Sequence, residues 1–152
     1  MEALSQERTL DLLASGKVGH IAVVDDGVPY VSPISYVLID RQLCFRTGAG
    51  RRLDAIRANP KVSIEVTKVL ADEGWESVIA AGEAAEVDDQ TLREQIVSAL
   101  LSKYSQEIGS PLTRGARNPL PQPATFVVVE LSDISGRSSG SWLSIPTRPG
   151  RL

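Results

Sequence analysis

Cysteine and histidine are almost missing from this chain: Cys44 and His20 are the only ones among its 152 residues. A single cysteine excludes an intrachain disulfide and a cysteine-built metal cluster, and points to a reducing compartment. A single histidine means that any Ser-His-Asp or Cys-His triad would have to use His20, and no hydrolase pattern surrounds it. Excess positive charge is absent as well, the formal net charge being -3. Nucleic acid and anionic membrane surfaces, which need a broad basic field, are therefore not expected as partners. No apolar run approaches the ~20 residues that span a bilayer. The opening "MEALSQERTLDLLASG" lacks the charged-then-apolar pattern of a signal peptide, so the expectation is a cytoplasmic protein with no membrane partner.

What remains is an ordinary globular composition, 42% hydrophobic and 23% charged, in a length that suits one domain. Leu10, Leu13 and Ala14 recur at helical spacing between a capping Ser5 and a closing Gly16. Two β-rich runs then flank Asp26-Gly27, a dipeptide suited to the positive φ of a tight hairpin turn. "QLCFRT" reads as a strand with Leu43, Phe45 and Thr47 on one face and Cys44 and Arg46 on the other. A helix of barely two turns opens at Gly50, buries Leu53 and Ile56, and stops before Pro60.

"KVSIEVTKV" alternates Val62, Ile64 and Val66 inward, and "WESVIAAGEAAEV" continues as a strand whose Gly82 suggests a bulge or a close backbone approach. Asp88 is placed to cap a longer helix with an apolar stripe of Leu92, Ile96, Ala99 and Leu100. Residues 105–123, rich in proline and without periodicity, read as a long surface loop, and "TFVVVELSDISGR" restores a strand. The division expected is one domain over 1–137, loop included, with a tail over 138–152. Strands joined by turns without βαβ alternation predict a β-rich α+β fold, an antiparallel barrel with peripheral helices.

The chemistry gathers at "FRTGAGRR". A strand ending in Arg46-Thr47, a Gly-Ala-Gly turn and a helix starting with Arg51-Arg52 bring backbone donors, a hydroxyl and guanidiniums to one spot. Cations are on the unfavourable side of a helix dipole at its start. A bound phosphate explains them there, since guanidinium forks match its geometry; simple solvation of two exposed arginines explains them as well.

The succession "LLASGKVGHIAVVDDGVPYVSPISYV", "LCFRTGAGRRLDAIRANPKVSIEV", "WESVIAAGEAAEV" and "ELSDISGR" resembles the pyridoxamine 5'-phosphate oxidase-like flavin-binding split-barrel family, and within it the nitroimidazole-resistance branch. That resemblance implies a six-stranded antiparallel split β-barrel that forms a homodimer, with FMN in a groove between the subunits. It also implies an oxidoreductase acting on small molecules, nitroaromatic or quinone-like. The carried-over positions are Thr47, Arg51 and Arg52 for the phosphate, with Arg46 close by. Pro33, Ile34 and Ser35 would run along the isoalloxazine ring, and Trp75, Ser77 and Val78 would line the groove. An 8-hydroxy-5-deazaflavin would suit the same arginines, and a non-enzymatic flavin or haem binder is a further alternative, with His20 as the candidate haem ligand. True pyridoxamine 5'-phosphate oxidases carry a C-terminal basic segment that "TRPGRL" replaces poorly, so pyridoxal chemistry is not expected.

Plainer roles exist for several of these. Pro33 can blunt an edge strand, Trp75 and Trp142 can anchor a core or an interface, and Tyr30 and Tyr36 can share a face at a dimer contact. Cys44 reads as a small hydrophobe, and Asp25, Asp26, Asp72 and Glu73 read as solvated turn charges.

Overall fold

The computed structural model describes residues 1–105 and 124–140. Trp142, most of the proline-rich stretch and most of the tail lie outside them. In chain order the elements are β1 (Glu2–Ala3), α1 (Gln6–Ser15), β2 (Gly19–Asp25), β3 (Val28–Ile34), β4 (Tyr36–Ile39) and β5 (Gln42–Thr47). Then come α2 (Arg51–Ala58), β6 (Lys61–Val69), β7 (Trp75–Glu86), α3 (Gln90–Tyr104) and β8 (Thr125–Ser138). Among the described residues no helix is long and apolar enough to cross a membrane.

Every strand pairing is antiparallel, and the strands follow the order β3-β2-β6-β7-β8-β5-β4, with β1 added on β8. The two ends of that path, β3 and β4, are consecutive in the chain and separated only by Ser35. A sheet whose opposite edges lie one residue apart must curl on itself, yet β3 and β4 do not pair. The result is a split barrel, and the chain crosses its split at Ser35. Eight strands replace the expected six because Ser35 breaks the second hairpin strand in two and Glu2–Ala3 forms a short extra one.

Local sequence accounts for most of this. Asp26 and Gly27 take φ of 49° and 77°, so the predicted dipeptide makes the turn between β2 and β3. Val62, Ile64 and Val66 are buried as the alternation requires. At Gly82 the β7–β8 register shifts, and a Cβ there would overlap the Glu130 carbonyl oxygen, so bulge and close approach coincide.

Three local readings change. On α1 the buried face is Thr9, Leu12 and Leu13, while Ala14 is exposed, because docking against the sheet selects the face one step round from the one Leu10 marks. Asp89, not Asp88, caps α3: its side chain accepts from the Leu92 N–H at 2.9 Å. Tyr36 is fully buried, its hydroxyl donating to the Leu13 carbonyl, and it lies on a different strand from Tyr30, so the two do not share an outer face.

Two apolar clusters result. The barrel interior holds Ile21, Tyr36, Leu43, Phe45, Ile64, Val78 and Val127, with α1 and α2 closing it through Leu13, Leu53 and Ile56. The second lies between α3 and the outer face of β4, β5 and β8, around Val37, Cys44, Ile96 and Phe126. Strand β5 is therefore buried on both faces, and burial pushes the Cys44 thiol up to about 11, as expected of a residue that only packs.

Candidate functional site

Strand β3 forms one lip of the split, and its backbone is held from α2. The Arg52 guanidinium donates through Nη1 to the Ser32 hydroxyl and to the Pro33 carbonyl oxygen, both at 3.0 Å. Through Nε and Nη2 it donates to Thr47 Oγ1 at 3.3 and 3.1 Å. A planar fork with five donors can hold β3 and the end of β5 together in this way; an ammonium has no such geometry. Burial lowers the Arg52 pKa, with nearby Tyr30 opposing, but a guanidinium stays charged.

Arg51 is more exposed. Its Nε donates to Asp25 Oδ2 at 2.6 Å, and its guanidinium stacks 4.2 Å from the centroid of the Tyr30 ring. Asp25 thus has a partner, where the turn position alone suggested solvated charge. The opening turn of α2 has no side-chain cap: Gly50 stands at the cap position with φ 152°, and nothing lies within 4 Å of where its Cβ would be. Tyr30, Ser32, Thr47, Gly48, Ala49, Gly50, Arg51 and Arg52 line a cavity of ≈ 250 Å³ at that point. Uncapped helix donors, open space over a glycine and two guanidiniums suit an oxyanion, so the residues present fit the phosphate of a nucleotide cofactor.

The other predicted residues fall into three places. Arg46 alternates with Thr47 along β5 and is not among the cavity's lining residues; its Nε is buried without a partner among the described residues. Pro33, Ile34 and Ser35 form the crossing itself, with Ile34 buried in the interior and Pro33 outward on an edge strand, where a missing donor costs least. Trp75 and Ser77 are half-buried at the start of β7, and the Ser77 hydroxyl donates to Glu65 Oε1 at 2.9 Å. Val78 points into the barrel core, because strand alternation turns its neighbours Ser77 and Ile79 outward in its stead.

His20 pairs in register with Pro33 on one side and Glu65 on the other, and its Nδ1 lies 3.3 Å from Glu65 Oε2. Glu65 also accepts from Thr67, so one carboxylate joins three strand side chains on the outer face. Ser32, Tyr30, Asp25 and Glu65 were not marked for this site by the sequence. Ser32 is separated from Arg52 by 20 residues, and no local periodicity links them.

The sequence model of the family described as Pyridoxamine 5'-phosphate oxidase matches residues 5–138. A FAD-binding protein from Mesorhizobium loti of known structure is 29% identical, covers 91% of this chain and 97% of its own, and superposes with a TM-score of 0.75. A FAD-binding protein from Mycobacterium smegmatis is 27% identical over 90% of this chain and 98% of its own, with a TM-score of 0.65. A putative 5-nitroimidazole antibiotic resistance protein from Bacteroides thetaiotaomicron shares the fold at 15% identity and a TM-score of 0.73, covering 90% and 86%.

Proposed function

Since the chain belongs to the pyridoxamine 5'-phosphate oxidase family, we propose that it is a flavin-dependent oxidoreductase whose cofactor phosphate sits at the start of α2. The observation that carries this reading is the uncapped helix start facing a cavity lined by Thr47, Arg51 and Arg52. In it, Arg51 and the free helix donors take the phosphate, while Arg52 keeps Thr47 and β3 in place. Pro33, Ile34 and Ser35 give the ring a backbone edge, and Trp75 and Ser77 bound the groove. The flavin, when bound, supplies hydride or electron transfer, and the chain's task is to bind, orient and exclude water. The substrates are of nitroaromatic or quinone-like character, reduced at the expense of a nicotinamide.

Two further parts of the proposal have their own support. The outer face of β3, β2, β6 and β7 exposes Val31 and Ile79 beside the small residues Ala22, Ser63 and Ala81, a surface suited to a homodimer with the groove at its edge. FAD is a second cofactor reading, supported by the FAD-binding relatives from Mesorhizobium loti and Mycobacterium smegmatis. Both flavins carry a ribityl phosphate, which Arg51 and the helix donors at the start of α2 would hold.

The test is spectroscopic. Purified protein, loaded in turn with FMN, FAD and 8-hydroxy-5-deazaflavin, is expected to retain a flavin through gel filtration and to bleach on adding a reduced nicotinamide. Sedimentation is expected to give twice the monomer mass. Release of every flavin on gel filtration would end this reading.

A further inference from the structure

We propose that Lys103 and Tyr104, at the end of α3, are positioning residues that brace the β4 side of the split as Arg52 braces the β3 side. The inference rests on reading the Pro33–Ser35 crossing as part of the flavin site, but the brace itself is visible without any ligand. Strand β4 ends the sheet path and pairs only with β5, in a register that sets Tyr36 opposite Phe45. In an antiparallel ladder alternate residues turn both N–H and C=O away from the partner strand, and on an edge strand those groups need something else.

At Tyr36 they find α3. The Tyr36 N–H donates to Tyr104 Oη at 2.9 Å, and the Tyr36 carbonyl accepts from Lys103 Nζ at 2.9 Å. The Tyr104 hydroxyl proton is placed for either the Lys17 carbonyl at 2.9 Å or the Tyr36 carbonyl at 3.0 Å. Lys103 Nζ also lies 3.9 Å from the centroid of the Tyr36 ring, and Lys17 Nζ donates to the Lys103 carbonyl at 2.7 Å. Two consecutive side chains of one helix thus satisfy both outward backbone groups of the first residue after Ser35. Arg52 donates in the same way to the carbonyl of Pro33, two residues before Ser35, where proline has no N–H to satisfy. The crossing hangs between two helices.

Among the described residues the groups facing Lys103 are the Tyr36 ring from β4, Lys17 from the turn before β2 and Tyr104 from its own helix, and none of these is an acid. Burial, with Lys17 adding to it, brings the Lys103 ammonium down to about 8 from 10.5. A lysine whose pKa falls on docking is held better when neutral, so the brace firms as pH rises through that value.

The experiment is hydrogen exchange on the full apo chain, read at the Tyr36 amide as a protection factor, beside FMN titration of the same samples. Tyr104→Phe removes the acceptor of that amide and is expected to lower its protection about 3- to 10-fold, the value of one net hydrogen bond. FMN affinity is expected to fall in step. Lys103→Arg keeps a donor that does not titrate. Wild-type protection and affinity are expected to rise about tenfold from pH 7 to pH 9, and the Arg variant to stay flat. Tyr36 protection unchanged in Tyr104→Phe overturns the brace. Lost protection with unaltered FMN affinity overturns its tie to the site. Because the exchange readout needs no cofactor, a chain that retains none of the flavins leaves the brace decided while removing the flavin reading.

Discussion

Arg52 and Lys103 reach the same crossing from different helices, and the contrast between them separates binding from adjustment. Both are half-buried and both are pushed down in pKa chiefly by burial. The guanidinium holds three partners, Thr47, Ser32 and Pro33, and keeps its charge at any working pH. The ammonium holds one carbonyl and sits near its titration point. On the α2 side the fold spends a permanent cation next to open helix donors, an arrangement that makes sense when an anion completes it. On the α3 side a cation that can lose its charge secures a strand edge, and no anion is called for.

The strongest way to sharpen that contrast is to empty the α2 side. Arg51→Ala combined with Arg52→Ala is expected to weaken FMN binding in titration calorimetry by at least about 1.5–3 kcal/mol, the value of the charge-assisted bond from Arg51, with the loss of the Arg52 hold on Thr47 and β3 adding to it. Next is the chemical swap. Arg52→Lys is expected to cost about 2 kcal/mol of stability in denaturant unfolding, because one ammonium cannot hold Thr47, Ser32 and Pro33 together; Lys103→Arg, with a single acceptor to satisfy, is expected to cost less. Equal costs would erase the distinction.

Gly50→Ala tests the opening of the helix without touching charge. No atom blocks the added methyl, but φ of 152° strains any L residue by about 1–2 kcal/mol, and the methyl occupies the space left for the oxyanion. Stability and FMN affinity are both expected to fall. The smallest effect is at Asp25→Asn, which loosens Arg51 from an exposed ion pair worth at most about 1 kcal/mol. Stability is expected to change little, while FMN affinity rises slightly as a competing carboxylate is neutralised.

Much of the frame was legible from short-range pattern. Asp26-Gly27, the Val62-Ile64-Val66 alternation and the two-turn α2 between Gly50 and Asn59 all depend on neighbours in the chain, and each formed as its residues predict. The gathering of Thr47, Arg51 and Arg52 was legible for the same reason, since a strand, a turn and a helix start are contiguous. What escaped depends on pairs far apart. Tyr36 and Tyr104 are 68 residues distant, Arg51 and Asp25 are 26 apart, and nothing in either segment's periodicity marks the other. The break at Ser35 was hidden too, because Tyr36 continues the apolar alternation of β3 and only the curl of the sheet assigns it to the opposite edge. The side chain of Val78 faces the core, a single step of the strand period from Ser77.

The central claim, an oxyanion at the start of α2, is tested most directly by the ³¹P resonance of FMN titrated with the protein. A shifted, broadened signal with the wild-type chain, restored to its free position in the Arg51→Ala, Arg52→Ala variant, is the result expected. A phosphate signal that stays at its free position while the flavin absorbance reports binding would contradict the account, since the ring would then be held and the phosphate left in water.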